Sequence, residues 1–121
     1  MEYKILGRKN DLALITADEI VVKDTQSALD LIASVQYETD CEKIIVYKSC
    51  VTPDFFVLST GIAGEILQKF INYHKKIAIV GDYSKNTSKP LKDFIYESNS
   101  GNSIYFVPSL EEALLKLDSA E

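Results

Sequence analysis

One histidine, two cysteines, three prolines and five glycines among 121 residues leave little material for several common kinds of protein. Cys41 and Cys50 flank Glu42-Lys43-Ile44-Ile45-Val46-Tyr47-Lys48, whose apolar centre reads as a strand. A mostly extended segment of that length sets the two α-carbons about 25–30 Å apart, well beyond the roughly 7 Å limit of a disulfide. A bridge within the chain is therefore excluded, and two reduced cysteines suit a cytosolic protein. His74 adds no zinc-like spacing to them, so no metal centre and no cofactor are expected. No apolar run approaches the roughly 20 residues needed to cross a bilayer. Met1-Glu2-Tyr3-Lys4 also lacks the basic-then-apolar layout of a signal peptide, which makes a soluble, cytoplasmic protein with no membrane partner the expectation.

Catalytic signatures are missing too. Neither G-x-S-x-G nor a phosphate loop of the G-x-x-x-x-G-K-[ST] or G-x-G-x-x-G type occurs. His74 lies far along the helix expected to begin at Thr60, about 21 Å away at 1.5 Å per residue, too distant to act as its base. Thirteen basic against eighteen acidic side chains give a net charge of −5, the wrong sign for a general binder of phosphate backbones. Between Lys69 and Lys92, however, Lys69, Lys75, Lys76, Lys85, Lys89 and Lys92 face a single acid, Asp82. This stretch reads either as solvated lysines or as an anion-attracting patch. With no aromatic platform beside it, nucleic acid is not an expected partner.

What is present describes a folded α/β chain. With 46% hydrophobic and 26% charged residues, disorder is excluded as the main state, and the length suits one core. Tyr3–Leu6 and Leu12–Ile15 flank a turn-prone connection and predict a hairpin, with a short extended piece at Glu19–Val22 after it. Asp24 reads as the cap of a helix burying Ala28, Leu31, Ile32 and Val35. Strands are predicted at Ile44–Tyr47, Ile77–Val80 and Ile104–Val107. Between them fall a helix from about Thr60 to Tyr73, with Ile62, Ile66, Phe70 and Tyr73 on one face, and a helix with Pro90 in its first turn. Ser109 and Glu112, in capping-box spacing, open a final helix, with residues 115–121 expected to fray. Helix alternating with strand requires parallel strands joined by crossovers. The predicted architecture is a single domain, with a mixed, mainly parallel sheet of four or five strands, an N-terminal hairpin and four helices.

Candidate functional residues gather after two of those strands. Ser59-Thr60-Gly61-Ile62-Ala63-Gly64 puts two glycines in an expected first helical turn, where each lowers helix propensity by about 1 kcal/mol relative to alanine. Either the turn packs closely against the sheet, or its N–H groups are left open to an anion or another backbone. Asp54, in Pro53-Asp54-Phe55-Phe56, and Asp82, in Gly81-Asp82-Tyr83-Ser84, both follow parallel strands, at the edge where open α/β sheets bind ligands. Each aspartate reads as a turn cap or as half of a cation site, although the ligand count falls short of a closed one. Topology therefore predicts one working surface of Asp54, Ser59, Thr60, Gly61, Gly64, Asp82, Ser84 and Lys89.

The runs Tyr37-Glu38, Asp54-Phe55-Phe56, Thr60 to Phe70, Gly81-Asp82-Tyr83-Ser84, Ser88-Lys89 and Asp93 to Glu97 resemble a bacterial family known as domain of unknown function 4180. The resemblance implies a small bacterial protein and brings no activity with it. More distantly, the order of elements is similar to the STAS domain, the sulfate transporter and anti-sigma-factor antagonist fold. There a D-S-[ST]-G stretch opens the helix after a parallel strand, and a partner kinase phosphorylates a hydroxyl in it. Ser59-Thr60-Gly61 would match its hydroxyl–hydroxyl–glycine part, making Ser59 or Thr60 the implied phosphoacceptor, while Leu58 stands where that family has Asp. The functional expectation is a non-enzymatic regulatory or protein-interaction module with a protein partner. The alternative is a small-molecule or anion-binding domain, its ligand a small anion for instance, using the helix N-terminus at Thr60 and the Asp82–Lys89 loop.

Overall fold

In the computed structural model, which describes residues 1–120, β1 (Glu2–Leu6) and β2 (Leu12–Thr16) form the antiparallel hairpin, with Tyr3 opposite Ile15 and Leu6 opposite Leu12. From β2 onward each strand pairs in parallel with the next: β3 (Lys43–Tyr47), β4 (Lys76–Val80) and β5 (Ile104–Val107), in the spatial order β1-β2-β3-β4-β5. The helices are α1 (Thr25–Thr39), α2 (Ile62–Asn72), α3 (Lys89–Ser100) and α4 (Leu110–Ser119).

Strand alternation sorts the core into two layers. Ala13, Ile15, Ile44, Val46, Ile77, Ile79 and Phe106 point to the face covered by α1, α2 and α3. Leu12, Leu14, Ile45, Ala78, Val80, Tyr105 and Val107 point to the other, where Ala113 and Leu117 of α4 cover them. Successive crossovers of one hand, all stepping the same way across a sheet, must lay their helices on one side. The strand order never reverses, so the sheet has no switch-point crevice of the kind that holds ligands in doubly wound folds.

Local chemistry explains the helix ends. Asp24 accepts from Ser27 N–H at 2.8 Å while Ser27 Oγ accepts from Asp24 N–H at 3.0 Å, a reciprocal cap on α1. Ser88 caps α3 and Ser109 caps α4. At the other end of α2, His74 takes up the left-handed conformation at φ 58°. Its N–H donates to Ile71 O, and Lys75 N–H donates to Phe70 O at 2.8 Å, the paired bonds of a Schellman stop.

Several expectations are corrected. α2 begins at Ile62 rather than Thr60, because Leu58–Thr60 winds into a 3-10 turn and Gly61 breaks it at φ 78°. Tyr73 is 56% exposed, since the helix ends just before the spacing would bring it back to the core. The Glu19–Val22 piece contributes only a parallel bridge from Val22 to Val51. α4 runs to Ser119 with Leu117 fully buried; Glu121, the last of the residues expected to fray, lies outside the described residues. The lysine-rich stretch is also no single patch. Lys75 precedes β4 and Lys76 opens it at the amino edge of the sheet, whereas Lys85 and Lys89 follow it at the carboxyl edge.

Candidate functional site

The connections after β3 and β4 leave from the same carboxyl edge and meet there. Phe55 and Phe56, from a 3-10 turn over Pro53–Phe56, turn inward and are buried. Phe56 packs on Tyr83 with ring centroids 5.9 Å apart, and both rings pack on Phe106, at 6.4 and 5.7 Å. Burial pushes the Tyr83 phenol well up, so it stays a neutral donor, bonded to Ile79 O at 2.9 Å.

Lys48 fastens the two connections together. Its Nζ donates to Asp82 O at 2.8 Å and to Asn86 Oδ1 at 2.6 Å, and lies 5.1 Å from the Phe56 ring centroid and 4.7 Å from that of Tyr83. Its stem runs across Gly81, where an added Cβ would sit 2.4 Å from Lys48 Cβ. Gly81 is thus a glycine of close approach. Sequence reading missed Lys48, since a lysine just after a strand looks like an ordinary solvated one; the glycine at the matching end of β4 was the available signal.

Most of the residues expected at this edge use their polar groups on the loops themselves. Asp82 accepts from Ser84 N–H at 2.9 Å; the Ser84 hydroxyl and N–H, with smaller help from Lys48 and Lys85, hold its carboxyl below the usual range. Lys89 pairs with Asp93 one helical turn on, at 2.7 Å, in an exposed ion pair. Thr60 Oγ1 lies 2.8 Å from Val57 O and 3.2 Å from Asp54 O, and accepts from Ile62 N–H at 3.2 Å. It thereby serves the start of α2, for which Gly61 has no side chain to offer. Asp54 and Ser59 are exposed, and no hydrogen bond engages the Ser59 hydroxyl among the described residues.

Gly61 and Gly64 are both exposed and a Cβ at either would meet nothing within 4 Å, but Gly61 has a positive φ and Gly64 does not, so neither close packing nor backbone conformation accounts for Gly64. A groove along α1 and four other surface depressions have none of the eight candidates in their walls. Among the described residues no group of three His, Cys, Asp or Glu side chains is placed to hold a metal ion, and no helix is long and apolar enough to cross a membrane. Both cysteines are buried and free.

The fold and this edge define an α/β domain of sequential strand order with a loop-built carboxyl edge. The family model described as domain of unknown function (DUF4180) matches residues 8–117, and the chain belongs to that family. No curated protein and no solved structure gives a match.

Proposed function

We propose that the protein is a non-enzymatic regulatory module of the cytoplasm that docks a partner protein on the carboxyl edge. The contact would cross Ser59, Gly61 and Gly64 at the shoulder of α2 and reach Asp54, the Asp82–Ser84 turn and Lys89. Gly64 is the observation that carries this reading. A glycine inside a helix lowers stability by about 1 kcal/mol relative to alanine, and neither backbone conformation nor packing within the chain requires it here. A closely approaching partner backbone supplies the missing reason. The likeness to STAS domains adds a switch: phosphorylation at Ser59 or Thr60 would place about two negative charges on this shoulder. Ser59 is the freer acceptor, because the Thr60 hydroxyl is engaged with Val57 and Ile62.

A small anion at the same edge is the competing reading. Lys85, exposed and in no ion pair among the described residues, is the cation at hand for it, whereas Lys89 is paired with Asp93 and Lys48 is held by Asp82 O and Asn86.

Capture from native lysate on immobilised wild type and Gly64→Leu tests the proposal. A stoichiometric protein retained by wild type and lost on the variant, whose Tm is unchanged or raised, supports docking at this shoulder. Equal retention on both columns overturns it.

A further inference from the structure

Two lysines of this protein are more than nine-tenths buried, and they are provided for differently. Lys43, 8% exposed, has a counter-ion: its Nζ lies 3.3 Å from Asp11 Oδ2 and donates to Leu117 O at 2.7 Å, near the end of α4. Lys75, 7% exposed, donates to Gln36 Oε1 at 2.6 Å and Cys41 O at 3.3 Å, both neutral oxygens. No carboxylate among the described residues comes within 4 Å of it. An ammonium taken out of water without a counter-ion is costly. The Schellman stop at His74 turns the chain so that Lys75 enters this position.

Lys75 also lines the wall of a cavity. A groove of about 520 Å³ runs along α1 beside the end of α2, bordered by Leu29, Ile32, Ala33 and Gln36 from α1 and by Tyr73 and Lys75. Its volume falls in the range of small-molecule sites, about 300–1,000 Å³. The α1 residues are spaced i, i+3, i+4, i+7, a stripe that shares Ile32 with the one α1 buries in the core, with Gln36 reaching Lys75 at its far end. Tyr73, which the helical spacing would place in the core, forms the opposite wall. Asp30 lines the groove as well, with its carboxylate accepting from Gln26 at 2.9 Å, and Asp40 accepts from the Gln36 amide.

We propose that this groove binds a small monocarboxylate with an apolar body, its carboxylate accepting from the Lys75 ammonium and its body lying along Leu29, Ile32 and Ala33 against Tyr73. The ligand supplies the counter-ion that Asp11 supplies for Lys43. The site is at the amino edge, remote in the sheet from the surface of the proposed docking, so either assignment stands or falls without the other.

Octanoate, with octanol as its uncharged match, tests the assignment by titration into isotope-labelled protein. The expected result is saturable shifts of the amides of residues 29–36 and 73–75, with octanol at least about ten-fold weaker, as the loss of a charge-assisted hydrogen bond entails. Lys75→Met should bring the two ligands to equal affinity, and Ala33→Trp, at an exposed position, should abolish binding of both by filling the groove. Three results would each overturn the proposal: no saturable shift at those amides, equal affinity of octanoate and octanol for wild type, or unchanged octanoate affinity in Ala33→Trp. If Lys75→Met does not fold, the ligand pair on wild type and the Ala33→Trp variant still decide it.

Discussion

The carboxyl and amino edges of the sheet handle lysine in opposite ways. At the carboxyl edge Lys48 keeps partial access to water while two oxygens and two aromatic rings surround its ammonium. At the amino edge Lys75 is buried more deeply and has only neutral oxygens. The first arrangement is complete in itself and holds two loops together. The second is complete only with something added. Polar residues at a sheet edge therefore do not by themselves mark a binding site; what matters is whether the fold has already satisfied them.

The carboxyl side of this comparison breaks most readily at Phe106. It is 4% exposed and packs against Phe55, Phe56, Tyr83 and Phe94. Phe106→Ala should cost about 3–5 kcal/mol in urea unfolding, the usual range for removing a buried aromatic ring. Next in size is the contact between Lys48 and Gly81. Gly81→Ala should cost about 1–3 kcal/mol, because the clash falls on Lys48 Cβ rather than on a flexible tip. Much of that cost should persist in a Lys48→Ala background, which retains the Cβ; full relief there would show that the outer stem was the obstacle.

Methionine scanning of the two buried lysines sharpens the contrast itself. Lys43→Met strands Asp11, whose Oδ1 already lacks a hydrogen-bond partner, and should destabilise. Lys75→Met strands only neutral oxygens and should be close to neutral or stabilising. A difference on the order of 1–3 kcal/mol between the two is expected from chemical denaturation. Equal losses would mean that Lys75 is as fully compensated as Lys43.

The smallest effect concerns pH. Asp82 has its carboxyl lowered by Ser84, and Asp24 has its own lowered by the Ser27 N–H and hydroxyl. Groups depressed in the folded state contribute stability that is present above the ordinary carboxylate value and lost as pH falls through the folded one. Stability should thus decline on acidification below about pH 4. In Ser84→Ala, which keeps the backbone N–H, carboxyl NMR should show the Asp82 titration moving up towards the ordinary range; an unmoved midpoint would exclude the Ser84 hydroxyl as a cause.

The framework was legible where periodicity and capping chemistry speak for themselves. The run Ile77–Val80 reads as a strand covered on both faces, and Asp24 reads as a cap because carboxylates favour that position. The start of α2 was less legible, since a 3-10 turn over Leu58–Thr60 places its residues much as a first α-helical turn would. Tyr73 misled because helical spacing continues in a sequence after the helix has stopped, and no glycine marks the stop at His74. The glycines at 61 and 64 looked alike in the sequence, yet one answers to a positive φ and the other to nothing inside the chain. Burial of Lys75 was not legible at all, because it depends on α1 and the segment after α2 meeting across 39 residues of sequence.

The unreversed strand order has a kinetic consequence. Each strand pairs with its neighbour in the chain, so the sheet grows through short loop closures, one crossover at a time. α4 reaches back across it, through Lys43 Nζ to Leu117 O and through Arg8 N–H to Asp118, contacts 74 and 110 residues apart in sequence. Those closures carry the largest entropic cost and are expected on the native side of the folding barrier. Leu117→Ala should then steepen escape from the native state, raising the unfolding rate while leaving the refolding limb of the chevron nearly in place. α4 acts as a latch on a sheet already assembled, and it governs how long the native molecule persists more than how quickly it forms.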